Sequence, residues 1–170
     1  MISYTKLQTE SKDWVLKNFG VRPKHQPLLG MFEEYGELML AEKLDEIKDA
    51  VADIAIFLID FCNANDLNLD QVLYMNKKED LSWLDSGALL AGIATSIGKI
   101  AHHYLKREQG IRGDVKFHTE QIEVRVSQLV GFLQEFSRQG SFNFEDTVQM
   151  VWRSVSKRNW SPKQLVAARS

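Results

Sequence analysis

Five carboxylates lie close together in a stretch of chain that is otherwise apolar. Glu33, Glu34 and Glu37 sit in LLGMFEEYGELML, and Asp49 and Asp53 sit in DAVADIAIFLIDF. On a helix turning about 100° per residue, the three glutamates occupy one quadrant, with Glu33 and Glu37 one turn apart. Asp49 and Asp53 are also one turn apart. Leu28, Leu29, Phe32, Leu38 and Leu40 surround the first set, and Val51, Ile54, Phe57, Leu58 and Phe61 the second. The acids therefore stand among positions expected to face a core, where a carboxylate must be protonated, paired or bound to a cation. No lysine or arginine lies among Glu33, Glu34 and Glu37. Facing Asp49 and Asp53 across a helix pair, they make an all-oxygen pocket suited to a hard dication, Mg²⁺ before Ca²⁺ or Zn²⁺. Charged runs on helices are usually solvated faces. The second acidic pair, at short range on an apolar segment, is what favours a site here.

The elements that must position these acids are all helices. Glycines and prolines are few and fall between segments of helical periodicity, which predicts an all-α chain. Thr9 or Ser11 caps a first helix running through Asn18, with Gly20 as its stop and Trp14 and Val15 facing inward. VRPKHQP reads as a loop. Helix two is expected over about Leu28–Lys43 and helix three over about Asp45–Asn63, forming a hairpin. Asn68 caps a fourth helix ending near Lys78. Helices five and six are expected over about Gly87–Arg107 and Phe117–Arg138. Asn143 caps a seventh, through about Lys157.

Composition bounds the function classes. The 170 residues allow one domain with a sizeable core. A net charge of −2 gives no electrostatic reason to expect nucleic acid or an anionic membrane. The single cysteine, Cys62, rules out an intrachain disulfide and reads as a small buried hydrophobe. Charges at Glu10, Lys12, Asp13 and Lys17 argue against a signal peptide, and Asp53 and Asp60 break the longest apolar run, so a cytoplasmic location is the expectation. His25, His102, His103 and His118 lack the HExxH and ExxH spacings of zinc peptidases and ferritin-type di-iron bundles. No GxxxxGK[ST] loop is present.

The motif Glu33-Glu34-x-x-Glu37, followed shortly by an acidic pair on an apolar helix, resembles the MazG-like all-α nucleoside triphosphate pyrophosphohydrolases, whose pattern is EExxE, a spacer, then ExxD. The family Asp falls on Asp53, and the family Glu three residues earlier falls on Ala50. Asp49 and Asp53 are taken as the second pair; Glu46 with Asp49 forms an offset alternative. The resemblance implies an all-α hydrolase of phosphoric anhydrides, dependent on Mg²⁺ with Mn²⁺ as a substitute. The implied reaction takes a (d)NTP, with dUTP or another deoxynucleotide among the candidates, to the monophosphate and pyrophosphate. Glu33, Glu34, Glu37, Asp49 and Asp53 would be the metal ligands, and Glu33 or Glu34 would orient or deprotonate the attacking water. In this family, Lys, Asn or Arg residues near the place of Asn76 and Lys77 contact phosphate. Lys157, Arg158 and Trp160 look like its C-terminal basic–aromatic ending, with Trp160 either stacking on a base or capping the bundle. A phosphoribosyl-ATP pyrophosphohydrolase and a non-catalytic helical interaction module are the alternatives.

The chain also repeats itself. LLGMFEEYGELMLAEK aligns with LLAGIATSIGKIAHHYLK, and DIAIFLIDFCNANDLNLDQVLYM with QLVGFLQEFSRQGSFNFEDTVQM. Gly36 falls on Gly98, Phe57 on Phe132, Phe61 on Phe136, Asn68 on Asn143 and Met75 on Met150. The apolar and capping positions survive while the acids do not: Glu33, Glu34 and Glu37 become Thr95, Ser96 and Lys99, and Asp49 and Asp53 become Val124 and Gln128. One domain over 1–170 is therefore expected as a fused pseudo-dimer, with a metal-binding half over 1–80 and a degenerate half over 86–160. Lys99, at an expected core-facing position, becomes a candidate for binding the substrate's phosphates. Apolar outer helix faces predict a homodimer or higher homo-oligomer.

Overall fold

In the computed structural model the described residues are 4–76 and 79–160, and they form seven α-helices with no strand among them. These are α1 (Tyr4–Phe19), α2 (Gln26–Leu40), α3 (Leu44–Ala64), α4 (Leu69–Met75), α5 (Ser86–Gln109), α6 (Val115–Gln139) and α7 (Phe144–Val155). The all-α expectation holds, as does the order of the seven elements. No described helix is long and apolar enough to cross a membrane.

Local chemistry sets most of the boundaries. Asn68 and Asn143 cap α4 and α7 as expected, accepting from the N–H groups of Gln71 and Asp146. Asp85 and Asp114 do the same for α5 and α6, starting both slightly earlier than the apolar periodicity alone predicts. Pro27, expected in a loop, lies in the first turn of α2, where its missing N–H costs nothing. That helix ends at Leu40 rather than Lys43, because Ala41 is extended and Lys43 already belongs to the cap of α3. Helices α4 and α7 stop at Met75 and Val155, short of the expected Lys78 and Lys157. The α1 cap is not local. Asp70, on α4, accepts from the N–H and hydroxyl of Thr5 at 2.9 and 2.6 Å, so α1 starts well before Thr9 and Ser11.

Two hairpins, α2–α3 and α5–α6, carry the largest helix–helix interfaces, with α2 against α5 and α3 against α6. Helix α7 lies on α3, whereas α4 lies on α6; α1 covers α3 and α4. Each hairpin thus receives the short helix that follows the other. One apolar core runs through both, with Met31, Val51, Ile54 and Phe61 on one side and Ile97, Ile122, Leu129 and Leu133 on the other. Cys62 is fully buried in it, and burial pushes its thiol up to about 12.

The two hairpins share backbone detail. A Cβ on Gly30 would lie 2.4 Å from the Phe57 ring, and one on Gly92 would lie 2.5 Å from the Phe132 ring. The C-terminus of α3 is closed by Leu67 N–H on Cys62 O at 2.9 Å, and that of α6 by Phe142 N–H on Ser137 O at 3.0 Å. The residues making these turns, Asp66 and Ser141, have φ of 58° and 61°.

One expectation about the core fails. Leu29, Phe32 and Leu40 are 65%, 46% and 83% exposed. Helix α2 carries apolar residues on two faces, and α3 covers only one of them, burying Leu28, Met31 and Leu38.

Candidate functional site

The α2–α3 hairpin brings the five predicted carboxylates together. The short connection from Ala41 to Lys43 reverses the chain, so the C-terminal half of α2 lies beside the N-terminal half of α3. Glu34 is partly buried. Its burial, and then the charges of Asp53, Glu37, Glu33 and Asp49, push its carboxyl up to about 8. Asp53 is also only partly buried. Its burial and the charge of Asp49 push it up to about 6, Arg158 opposing and Glu37 adding to the shift. Glu33, Glu37 and Asp49 are exposed.

Glu46 has another task. Its Oε2 accepts from the N–H groups of Glu42 and Lys43 at 3.1 Å, and its Oε1 from Lys43 Nζ at 3.0 Å. These bonds hold its carboxyl below the usual range and tie it to the start of α3. Glu46 is not among the charges acting on Glu34 or Asp53.

Arg158 is the cation that reaches the cluster. It lies just past α7, and α1 holds that segment in place. Trp14 Nε1 donates to Arg158 O at 3.0 Å, and Trp160 N–H donates to Asn18 Oδ1 at 2.5 Å. The Trp14 ring also meets Trp152 edge-on, with centroids 6.0 Å apart. Trp14 and Asn18 therefore position the end of the described chain. They carried no local signal for that role, since their partners lie at the far end of the sequence.

The other predicted substrate residues are scattered. Lys99 is exposed, a correction to its expected core-facing place. The buried stripe of α5 is Leu89, Ile93, Ser96, Ile97, Ile100 and Tyr104, and Lys99 falls off it. Burial lowers the proton affinity of His102 and His103, and the Lys99 charge adds to both shifts. Asn76 is not with the carboxylates either. Its amide donates to Val72 O at 2.7 Å, and it lines a cavity against α6, because α4 packs on the other hairpin. Lys157 is exposed, and Trp160 is 44% exposed. Lys77 lies outside the described residues.

Of the α5 and α6 positions that align with the acids, Gln128 holds other bonds. Gln128 donates to Glu79 at 3.2 Å and accepts from Arg125 Nη1 at 2.7 Å. Thr95 is exposed and Ser96 buried.

The donor set on α2 and α3 fits a hard dication in its chemistry: all oxygen, strongly anionic and self-repelling, as the raised Glu34 and Asp53 show. The side chains are not drawn into a finished site. Among the described residues no group of three or more His, Cys, Asp or Glu is poised to hold a metal.

A stability prediction follows from the raised values. In the folded chain Glu34 and Asp53 bind protons that the unfolded chain has already released, so their contribution is greatest at low pH and falls as pH rises through about 6 and then about 8. In the presence of a chelator, the melting temperature should drop between about pH 5 and pH 8, and Glu34→Gln should flatten that slope. A wild-type melting temperature that rises over this interval, or a slope unchanged in the variant, contradicts the cluster.

Comparison of the chain with protein-family models, with curated proteins and with solved structures gives no match.

Proposed function

We propose that the chain is a Mg²⁺-dependent nucleoside triphosphate pyrophosphohydrolase of MazG-like plan, releasing a nucleoside monophosphate and pyrophosphate. The observation that carries this reading is Glu34. It is partly buried, surrounded by four other carboxylates, and pushed up to about 8 with no cation among the charges acting on it. An anionic cluster of that kind lowers its energy by taking up cations. A hard dication held by Glu33, Glu34, Glu37, Asp49 and Asp53 would neutralise triphosphate oxygens and polarise water. The chain's own residues would do the rest. Glu33 or Glu34 orients the water and accepts its proton as the oxygen attacks phosphorus and the bond to the pyrophosphate oxygen breaks. Arg158, beside Asp53, is placed to take the phosphate charge left over, with Lys157 on the same exposed segment. Trp160, two residues further on and partly exposed, is available to stack on the base.

The matched Gly30–Phe57 and Gly92–Phe132 contacts and the matched helix ends support a duplicated hairpin. Only the first hairpin keeps its acids, so one metal centre per chain is expected. The outward Leu29, Phe32, Met39, Leu40 and Leu44 of the first hairpin support a homo-oligomer that covers them.

The test is pyrophosphate release across ribo- and deoxynucleoside triphosphates and phosphoribosyl-ATP, with calorimetric titration of Mn²⁺. The expected result is dication-dependent release from at least one nucleoside triphosphate, with Mn²⁺ bound at one place per chain. Release from phosphoribosyl-ATP alone moves the assignment to that enzyme class. No dication binding, with or without nucleotide, removes the enzyme reading in favour of a helical interaction module.

A further inference from the structure

A cavity of about 660 Å³ contains none of the five carboxylates of the proposed catalytic site. It lies between α4, residues 79–81 and α6. Its origin is architectural. On the first hairpin, Leu7 and Ser11 of α1 close against Ile56 and Ile59 of α3, leaving no room for water. In the repeat, those α3 positions become Gly131 and Gln134 on α6, and both line the cavity. Among the described residues no helix equivalent to α1 precedes α5 to seal it, and Gly131 and Gln134 are not the apolar residues that sealing needs.

The lining is acidic. Asp70, Glu79, Asp80, Glu135 and Glu145 all face the cavity, with Arg138 the one arginine or lysine among the described lining residues. Arg138 is committed: it pairs with Glu135 at 2.6 Å, and its charge extends to Asp80. Asp70, Glu79 and Glu145 accept hydrogen bonds from Thr5, Gln128 and Gln134, all neutral, and form no ion pair among the described residues.

Tyr4 is the second, independent observation. It lines the same cavity and is 7% exposed, and its hydroxyl is buried with no hydrogen-bond partner. Buried hydroxyls are nearly always satisfied, so an orphan beside carboxylates points to a missing partner. Burial, then Glu145 and Asp70, push the phenol well above its ordinary range, so it stays protonated and can both donate and accept. The remaining wall is apolar, including Leu73, Leu81, Val124 and Phe132.

We propose that this cavity binds an aliphatic polyamine. Its ammonium groups would donate to Asp70, Glu79 and Glu145 and to the Tyr4 oxygen, while its methylene segments lie along the apolar wall. Several unpaired acids spread around one cavity match several spaced positive charges on a chain. A triphosphate is repelled there, which keeps this site separate from the proposed catalytic one.

Spermidine, titrated calorimetrically into the full chain at low ionic strength, tests the idea on the wild type and on Tyr4→Phe, Glu145→Gln and Asp53→Asn, each first shown folded by circular dichroism. Saturable binding to the wild type is expected, weakened about tenfold by Glu145→Gln and severalfold by Tyr4→Phe, the loss of one charged and one neutral hydrogen bond. Asp53→Asn should bind as the wild type does. The proposal is overturned by absence of saturable binding to the wild type, or by unchanged affinity in both cavity variants. It is equally overturned by loss of binding in Asp53→Asn alone, which would place the polyamine on the α2–α3 carboxylates.

Discussion

Asp53→Asn is expected to lower pyrophosphate release by about 10²-fold or more, the scale seen when one group that holds reacting charge is removed. Glu46→Gln should leave the rate near wild type. The contrast rests on geometry. Asp53 is partly buried on α3, in the field of Asp49 and Glu37 and beside Arg158. Glu46 is exposed and spends both oxygens on the start of its own helix, and a glutamine there still accepts from those N–H groups. Glu37→Gln should act like Asp53→Asn. In both, the loss of a charge from a self-repelling cluster means that the metal-free melting temperature holds or rises. Initial rates at limiting Mg²⁺, with thermal melts in chelator, are the measurements. Reversed losses for Asp53 and Glu46 would make Glu46 and Asp49 the second acidic motif. Wild-type turnover in Asp53→Asn would remove the site.

What sequence could carry here was local, and what it missed was mostly distant. The one-turn spacings of Glu33 with Glu37 and of Asp49 with Asp53, and the shortness of the connection between them, are enough to put five acids on one helical hairpin. Asn68 and Asn143 announce their helices because an N-cap is a contact between residues three apart. The cap of α1 is supplied by Asp70 and the anchor of Arg158 by Trp14, and neither pairing leaves a trace near either residue. Lys99 was misplaced for another reason. Alignment to Glu37 shows where it sits in the repeat, but its helix carries a buried stripe running through Ile93, Ile97, Ile100 and Tyr104, which leaves Lys99 outside. Asn76 follows the first hairpin in sequence and packs on the second in space. Leu29, Phe32 and Leu40 are apolar without being internal; periodicity shows that α2 has two apolar faces and cannot show that α3 covers one.

Arg22→Met is expected to destabilise the fold by about 3 kcal/mol at neutral pH, the low end of what removing one partner from a buried ion pair costs. Arg22, in the loop between α1 and α2, is bonded and paired to Asp60 on α3. Asp60 is 6% exposed and is followed by the fully buried Phe61 and Cys62, so its carboxylate has little access to water once the guanidinium is gone. Burial already pushes its proton affinity up, with Arg22 opposing. Without Arg22 the affinity rises further, so the folded variant holds a proton that the unfolded chain sheds. Stability relative to wild type is then worst at neutral pH and recovers as pH falls toward the carboxylate range. Arg22 also lies over the Phe19 ring, 5.6 Å from its centroid, and the methionine keeps contact there without the charge. The double variant Arg22→Met, Asp60→Leu should regain most of the loss, because replacing a whole buried pair with apolar groups is often neutral. Urea unfolding at neutral and mildly acidic pH measures all three chains. A single-variant loss below about 1 kcal/mol would mean the pair behaves as an exposed bridge, and failure of the double variant to recover would mean that the loop needs the guanidinium's bonds and not merely relief from an unpaired acid. Dication binding should survive Arg22→Met wherever the chain is folded, since α2 and α3 hold the five carboxylates and Arg22 touches none of them.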